Sequence, residues 1–373
     1  MRFLHIIKDD KFFAPLKNDM DTDPNIVSSY VFFSWGKSLK YLNNDESVSI
    51  YHRAGDFIKR LKQEDYDVVY IHSLHFSILR FIKYIPKDRI VIWWAWGSDI
   101  YDGQLFGMKS FVHVEVNKPE TKRILNHSRR LKNLIAQILF SKLLSHYRKQ
   151  ALNRIDYFQP VIDIDYSLMK EFTGFTAKEY YPLRWSNFYT GDEICKEKNR
   201  DGGIVLGNSA SPANNHVDAW KAIEPFIPNG RKVVIPLSYG AMDYAREVKE
   251  EIKNSRCEMI ILDSFLPRDE YFKIVGDCSY AVYGSLRQHA MANIYNSLRS
   301  GLKVFLFKDS YIYKYLVRSG YVVYAIDDVN EESFTTPLTL AEQRNNIDAM
   351  RKECEDYRER GRIAMEDIKS RVS

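Results

Sequence analysis

Apolar residues along this chain gather in short runs separated by helical spacing, and they do so in two series. Runs at 2–7, 48–51, 67–72, 89–94 and 157–162 alternate with helical patterns near 26–43, 53–64, 75–84 and 118–152. A second series has runs near 203–206, 231–236, 258–262, 279–283, 302–306 and 322–326, separated by helical patterns near 213–225, 241–254, 267–277, 288–300 and 310–319. Short apolar runs at this spacing read as buried strands, so each series predicts a doubly wound parallel sheet with right-handed crossovers. A charged connector at 190–201 separates the series. The expectation is an α/β chain with one Rossmann-like domain over 1–190 and a second over 202–338. Residues 339–373 read as a long charged helix with Ile347, Met350, Cys354 and Tyr357 on one stripe, packing either back on the first domain or on its own.

The stretch GGIVLGNSASPANNH carries the most chemistry. Its apolar run, Ile204–Leu206, stops at Gly207-Asn208-Ser209 before a helical segment that begins near Pro212 or Ala213. Glycine lets a ligand approach the backbone, Asn208 and Ser209 can donate hydrogen bonds, and a helix start offers unpaired N–H groups to an anion. An ordinary turn with an Asn/Ser cap is the competing reading.

Length and composition frame the two series without changing them. At 373 residues the chain exceeds one typical core, and 45% hydrophobic with 28% charged residues is the make-up of a globular protein. The start, MRFLHIIKDD, reads as a strand running into acidic residues rather than a signal peptide, and no run is long enough to span a bilayer. Four scattered cysteines, without metal spacing, fit a reducing cytoplasm.

Charge does change the picture. Between Lys118 and Arg154 there are ten Lys/Arg against one acid, Glu120, while outside that segment acids outnumber bases 48 to 44. Leu131, Leu134, Ile135, Ile138, Leu139, Leu143 and Leu144 recur there at helical spacing, which makes a basic amphipathic helix. Such a helix suits an anionic membrane surface, with Arg129, Arg130 and Lys132 as contacts, or a core-packed helix with a solvated basic face. No nucleic-acid-binding motif accompanies it.

The runs LGNSASPANNHVDAWKAI, KVVIPLSYG and FLPRDEYFKIVGDCSYAVYGSLRQHAMANIYNSLRSGLKVFL, with WWAWGSDIYD in the first half, resemble the TDP-Fuc4NAc:lipid II Fuc4NAc transferases, the 4-alpha-L-fucosyltransferase-type GT-B glycosyltransferases. The similarity covers roughly residues 90–310. It implies two Rossmann-like domains facing a cleft and an inverting transfer of a deoxyamino sugar from a TDP-sugar to a polyprenyl-diphosphate-linked oligosaccharide, in bacterial surface polysaccharide synthesis. It further implies a peripheral enzyme on the cytoplasmic face of the inner membrane, with the nucleotide-sugar as substrate and no cofactor.

Donor and acceptor residues follow from strand ends. On the donor side these are Gly207, Asn208 and Ser209, then Ser238 and Tyr239 after the run at 231–236, Phe265 and Leu266 near the nucleobase, and Gln288, His289 and Asn293. Arg287 can offset the charge developing on the nucleoside diphosphate leaving group. Arg287 also reads as a surface cap, and His289 as a structural histidine. In the first half Asp99 follows the most apolar strand. A carboxylate there can act as general base on an acceptor hydroxyl, or can orient a turn. Trp96, Ser98 and Tyr101 flank it on the acceptor side, and His5, His72 and His75 are alternative bases. Asp21-Thr22-Asp23 and Asp163-Ile164-Asp165 match the metal-binding Asp-x-Asp pattern but are better explained as a loop and a helix cap, so no catalytic metal is expected. A GT-B-like nucleotide-sugar 2-epimerase and a non-catalytic membrane-peripheral protein are the other readings.

Overall fold

The apolar runs form two sheets in the computed structural model of the protein, which describes residues 1–7, 13–20, 24–33, 47–63, 65–102, 110–128, 144–181, 195–264 and 266–372. Every strand pairing is parallel. The chain divides into two units, one formed by Met1–His113, Lys132–Phe188 and Glu355–Ser373, the other by Val114–Leu131 and Tyr189–Cys354.

The first unit runs β1 (Arg2–Ile7), α1 (Phe13–Met20), β2 (Val27–Phe33), β3 (Val48–Tyr51), α2 (Ala54–Leu61), β4 (Val68–His72), α3 (Phe76–Leu79), β5 (Ile90–Trp94) and α4 (Ser98–Tyr101). Next comes α5 (Pro119–Ser128), which belongs to the second unit. A helix over 144–152, α6, leads back through β6 (Tyr157–Gln159) and α7 (Asp163–Thr173) to β7 (Lys178–Glu179). The sheet order is β3-β2-β1-β4-β5-β6-β7. The helix expected over 26–43 is instead strand β2 across residues 27–33, and 34–43 lie outside the described residues. Ile26, Val27, Tyr30 and Val31 mimic helical spacing, but Tyr30–Phe33 are all buried in succession. A parallel strand covered on both faces buries neighbours in a row, and branched and aromatic residues favour it.

The second unit runs β8 (Ile204–Leu206), α8 (His216–Ile223), β9 (Lys232–Pro236), α9 (Met242–Ile252), β10 (Glu258–Leu262), α10 (Arg268–Gly276), β11 (Tyr280–Tyr283), α11 (Met291–Arg299), β12 (Lys303–Leu306), α12 (Tyr311–Arg318), β13 (Tyr324–Ala325) and α13 (Leu340–Val372). Its sheet order is β10-β9-β8-β11-β12-β13, packed on Trp220, Val217, Val248 and Phe305 among others. Here α5 is anchored by Asp218 of α8, whose carboxylate accepts the N–H groups of Glu120 at 2.8 Å and Thr121 at 2.9 Å. A carboxylate at a helix start satisfies orphan donors and opposes the macrodipole.

The long helix α13 is shared. Glu353 accepts hydrogen bonds from the hydroxyls of Tyr295, Tyr315 and Tyr321 within the second unit. Beyond it, Tyr357 stacks on Tyr181 and Arg360 pairs with Glu179 at 2.9 Å within the first unit. Ala364, Met365 and Ile368 then complete a first-unit cluster with Phe3, Tyr70, Ile92 and Tyr157.

Candidate active site

In each sheet the strand order turns back on itself, between β1 and β4 and between β8 and β11. Crevices open there at the carboxyl ends of the strands, because adjacent loops leave in opposite directions.

In the second unit the two loops at that point are residues 207–215 and 284–290. Gly207 has φ +71°, and a Cβ on it would lie 2.3 Å from Nε2 of His216, so only glycine fits. Gly284 is equally constrained, because its Cβ would meet the carbonyl oxygen of Asn214 at 2.4 Å. The expected helix start near Pro212 is a single 3-10 turn, Pro212–Asn214, and α8 begins only at His216 because Asn215 adopts a left-handed conformation, φ 46°. Asn215 tolerates that backbone because it fastens three segments. Its Nδ2 donates to the carbonyls of Gly284 at 2.9 Å and Val116 at 3.0 Å, and its Oδ1 accepts from the Lys118 N–H at 2.8 Å. The second loop is likewise longer than its sequence implies. Ala290 at φ 57° delays α11 to Met291, so Gln288 and His289 sit in the loop, not in a helical turn.

The sequence-derived donor residues fall around these loops. Asn208 is buried, its Nδ2 donating to the Tyr239 hydroxyl at 3.3 Å, and Ser209 is held by Asn214 Nδ2 through its carbonyl at 2.8 Å. Ser285 Oγ lies 3.1 Å from His289 Nδ1, and Arg287, also buried, donates to the Gln288 carbonyl at 2.7 Å. Ser238 and Leu266 are half-buried, Tyr239 is exposed, and Asn293 accepts from the Tyr283 hydroxyl through its carbonyl at 3.3 Å. Phe265 lies outside the described residues. Burial first, then the charges of Arg287 and His216, pull the His289 pKa down to about 3. Buried atoms in the two loops and at the start of α8 that have no hydrogen-bond partner among the described residues include Asn208 Oδ1, Asn214 Oδ1, His216 Nε2 and Gln288 Oε1. Unmade hydrogen bonds of this kind cost about 1–3 kcal/mol each, so a concentration of them marks a place for a polar ligand.

Asn214, Asn215 and His216 were not singled out from the sequence. The signal was present as Asn-Asn-His after a proline, since asparagine is the non-glycine residue best suited to a left-handed break before a helix.

In the first unit the corresponding loops follow β4 and β5. Asp99 is buried, and its carboxylate accepts from the Leu74 N–H at 2.8 Å, the Trp93 indole N–H at 2.8 Å and the Trp96 N–H at 2.9 Å. Burial raises its pKa while these donors oppose the rise. Of the two roles weighed for Asp99, this geometry favours the orienter of a turn: a base must reach an acceptor hydroxyl, and both oxygens are engaged with the protein. Tyr101 is buried with its hydroxyl 2.5 Å from Asp165, Trp96 is half-buried, and Ser98 is exposed. Asp165 also accepts from the N–H of Ile162 at 3.2 Å, so the Asp163–Asp165 pair serves the start of α7. Asp21 and Asp23 lie outside the described residues. Among the described residues no three His, Cys, Asp or Glu side chains gather as metal ligands do. His5 Nδ1 and His72 Nε2 are 3.0 Å apart, and burial lowers both pKa values, that of His5 to about 3. His72 Nδ1 has no partner among the described residues, whereas His75 caps α3 through the Ser77 N–H.

The basic segment divides. Arg129, Arg130 and Lys132 lie outside the described residues. Lys118 pairs with Asp309 at 3.1 Å, Lys122 with Glu115, Arg123 with Glu120 and Glu251, and Arg154 with Asp156 at 3.0 Å. Those four cations answer acids of the protein. Among the described residues no helix is long and apolar enough to cross a membrane.

Comparison with known proteins agrees with the fold and supplies the family. The chain is similar to a UDP-forming α,α-trehalose-phosphate synthase of Burkholderia xenovorans, at 9% identity and TM-score 0.60 over 100% of both chains. It is similar to Anabaena HepE in complex with UDP and glucose, at 10% identity and TM-score 0.59 over 99% of this chain and 100% of that one. A trehalose-6-phosphate structure from E. coli, bound with UDP-2-fluoro glucose, matches at 10% identity and TM-score 0.57 over 99% of both chains. These neighbours identify the two parallel-sheet units as the GT-B fold. Residues 132–350 match the model of one sequence family, and the chain accordingly belongs to the 4-alpha-L-fucosyltransferase family, glycosyl transferase group 56, and is a glycosyltransferase.

Proposed function

We propose that this glycosyltransferase moves a deoxyamino sugar from TDP to a polyprenyl-diphosphate-linked oligosaccharide, with the donor diphosphate held where β8 and β11 end. The observation that carries this reading is the convergence, on two glycine-led loops of adjacent strands, of the buried Arg287 and of His216 Nε2, which has no partner among the described residues, while the unpartnered amide oxygens of Asn208, Asn214 and Gln288 are acceptors suited to hydroxyl or N–H groups of the donor. A diphosphate brings several negative oxygens that backbone N–H groups, an imidazole N–H and an arginine can meet without a metal. Gly207, Asn208 and Ser209 form one side of that grip, Arg287, Gln288 and His289 the other. Ser238, Tyr239, Phe265, Leu266 and Asn293 are assigned to the sugar and nucleoside. Arg287 stabilises the leaving diphosphate as the glycosidic bond to it breaks.

The acceptor is assigned to the first unit, and attachment to the cytoplasmic face of the inner membrane to Arg129, Arg130 and Lys132. The assay is sugar transfer and donor hydrolysis with TDP-, UDP- and GDP-sugars, each with and without a polyprenyl-diphosphate glycan. Turnover with TDP-sugar only when the lipid-linked glycan is present is the expected result. Calorimetry with TDP tests the site itself: Arg287→Ala is expected to weaken binding by about 1.5–3 kcal/mol, the range for hydrogen bonds to charged groups. Unchanged affinity removes Arg287 from the site.

A further inference from the structure

His216 is a buried histidine whose ring lies between the core residue Tyr244 and the donor loop. It opens α8, an eight-residue helix, and is fully buried. The position a Cβ would take on Gly207 lies 2.3 Å from its Nε2, so that nitrogen is the part of the ring nearest the turn. Its backbone N–H donates to the Tyr244 hydroxyl at 3.1 Å, and its Nδ1 lies 3.4 Å from the same oxygen. Nε2 has no partner among the described residues. The preceding Asn215, in a left-handed backbone and tied to Gly284, Val116 and Lys118, fixes the main chain where α8 starts.

We propose that His216 is a further ligand of the donor diphosphate, its Nε2–H donating to a phosphoryl oxygen beside the Gly207 turn. The proposal rests on the reading of this switch point as the diphosphate site. In a neutral imidazole one nitrogen donates and the other accepts, and the Tyr244 hydroxyl can serve Nδ1 in either sense. An anion at Nε2 therefore selects the form protonated there. Gly207 is then required twice, once for its backbone and once because any side chain would displace the ring.

The test uses TDP, thymidine as the phosphate-free probe, and two amide variants of the whole protein. Glutamine places an N–H near the position of Nε2, whereas asparagine places its amide near Nδ1. His216→Asn is expected to lose about tenfold in TDP affinity with thymidine binding unchanged, and His216→Gln to stay within about threefold of wild type. Equal losses in the two variants, or loss of thymidine binding alongside TDP, overturn the proposal. A measurement on wild type stands beside the variants in case they fold poorly. The imidazole ¹⁵N shift of His216 Nε2 is expected at the protonated value when TDP is bound, and an unprotonated value there overturns the assignment. Wild-type protein that binds no nucleoside diphosphate sinks the donor-site reading and this proposal together, while binding that His216→Asn leaves intact sinks the proposal alone.

Discussion

The two sheets turn back at the same place in their strand order, yet their loops there are finished differently. After β4 and β5 the carboxylate of Asp99 takes three donors, one from β5 and one from each of the two loops, Tyr101 closes on Asp165, and His5 closes on His72. His72 Nδ1 and Gln159 Nε2 are among the buried atoms without partners among the described residues of those strand ends. After β8 and β11, neutral amides and a histidine are buried with hydrogen bonds still to make. A charge cannot be left open in this way, since an unpaired buried carboxylate costs far more than an unpaired amide. The difference teaches that at such an edge the most chemically conspicuous residue can be the one most fully used by the fold.

Acidification has the largest expected effect on this comparison. His5 and His216 have pKa values lowered by burial to about 3, and His72 is lowered too. The unfolded chain binds protons near 6.5 and the folded one does not, so stability is complete above pH 6.5 and is lost as pH falls from there toward 3. Unfolding free energies from denaturant titrations between pH 7 and 4 are expected to fall by several kcal/mol in total, with added TDP offsetting part of the loss. A flat profile breaks the picture of buried neutral rings at both edges.

Asp99→Asn comes next. The replacement turns one acceptor oxygen into a donor facing the Leu74 and Trp93 N–H groups or that of Trp96, and about 2–4 kcal/mol of stability is expected to go, with TDP affinity unchanged. Rate per folded molecule separates the roles. A fall of about 10²–10⁴ in a protein of normal stability makes Asp99 the base after all, whereas a modest change in a weakened protein moves the search to His72, His5 or His75.

Gly207→Ala sharpens the contrast from the other side. Strain at φ +71° and collision with His216 are expected to cost about 1–3 kcal/mol and most TDP binding. Gly55→Ala in α2, where nothing lies within 4 Å, is the control and is expected to be neutral or slightly stabilising. The smallest effects concern lipid. Reversing the charges of Arg129, Arg130 and Lys132 is expected to remove about 1 kcal/mol of attraction per residue and abolish flotation with anionic vesicles. Reversing Lys118, Lys122 and Arg123, which already face acids of the protein, is expected to alter stability instead.

Most of the architecture was legible because parallel strands buried on both faces write themselves as short apolar runs. It failed at β2, where aromatic and branched residues happened to fall at helical spacing. The donor loops were legible from glycines at strand ends, but their lengths were not. Asn215 and Ala290 delay both helices by adopting a left-handed backbone, which asparagine tolerates readily and which alanine does not advertise. Asp99 could be placed at a strand end from sequence, yet its donors include two backbone N–H groups and an indole, none of which residue type reveals.

The sharing of α13 bears on how the protein is made. Its last turns bring Ala364, Met365 and Ile368 against Tyr70, Ile92 and Tyr157, and its Arg371 against Asp156. On the ribosome the first unit therefore waits for the last residues of the chain, while residues 189–354 have already emerged. A fragment ending at residue 188 carries the whole first sheet with that apolar surface uncovered, so separate expression of this half is expected to give aggregates, and supplying 355–373 as a covalent appendage to recover a folded domain.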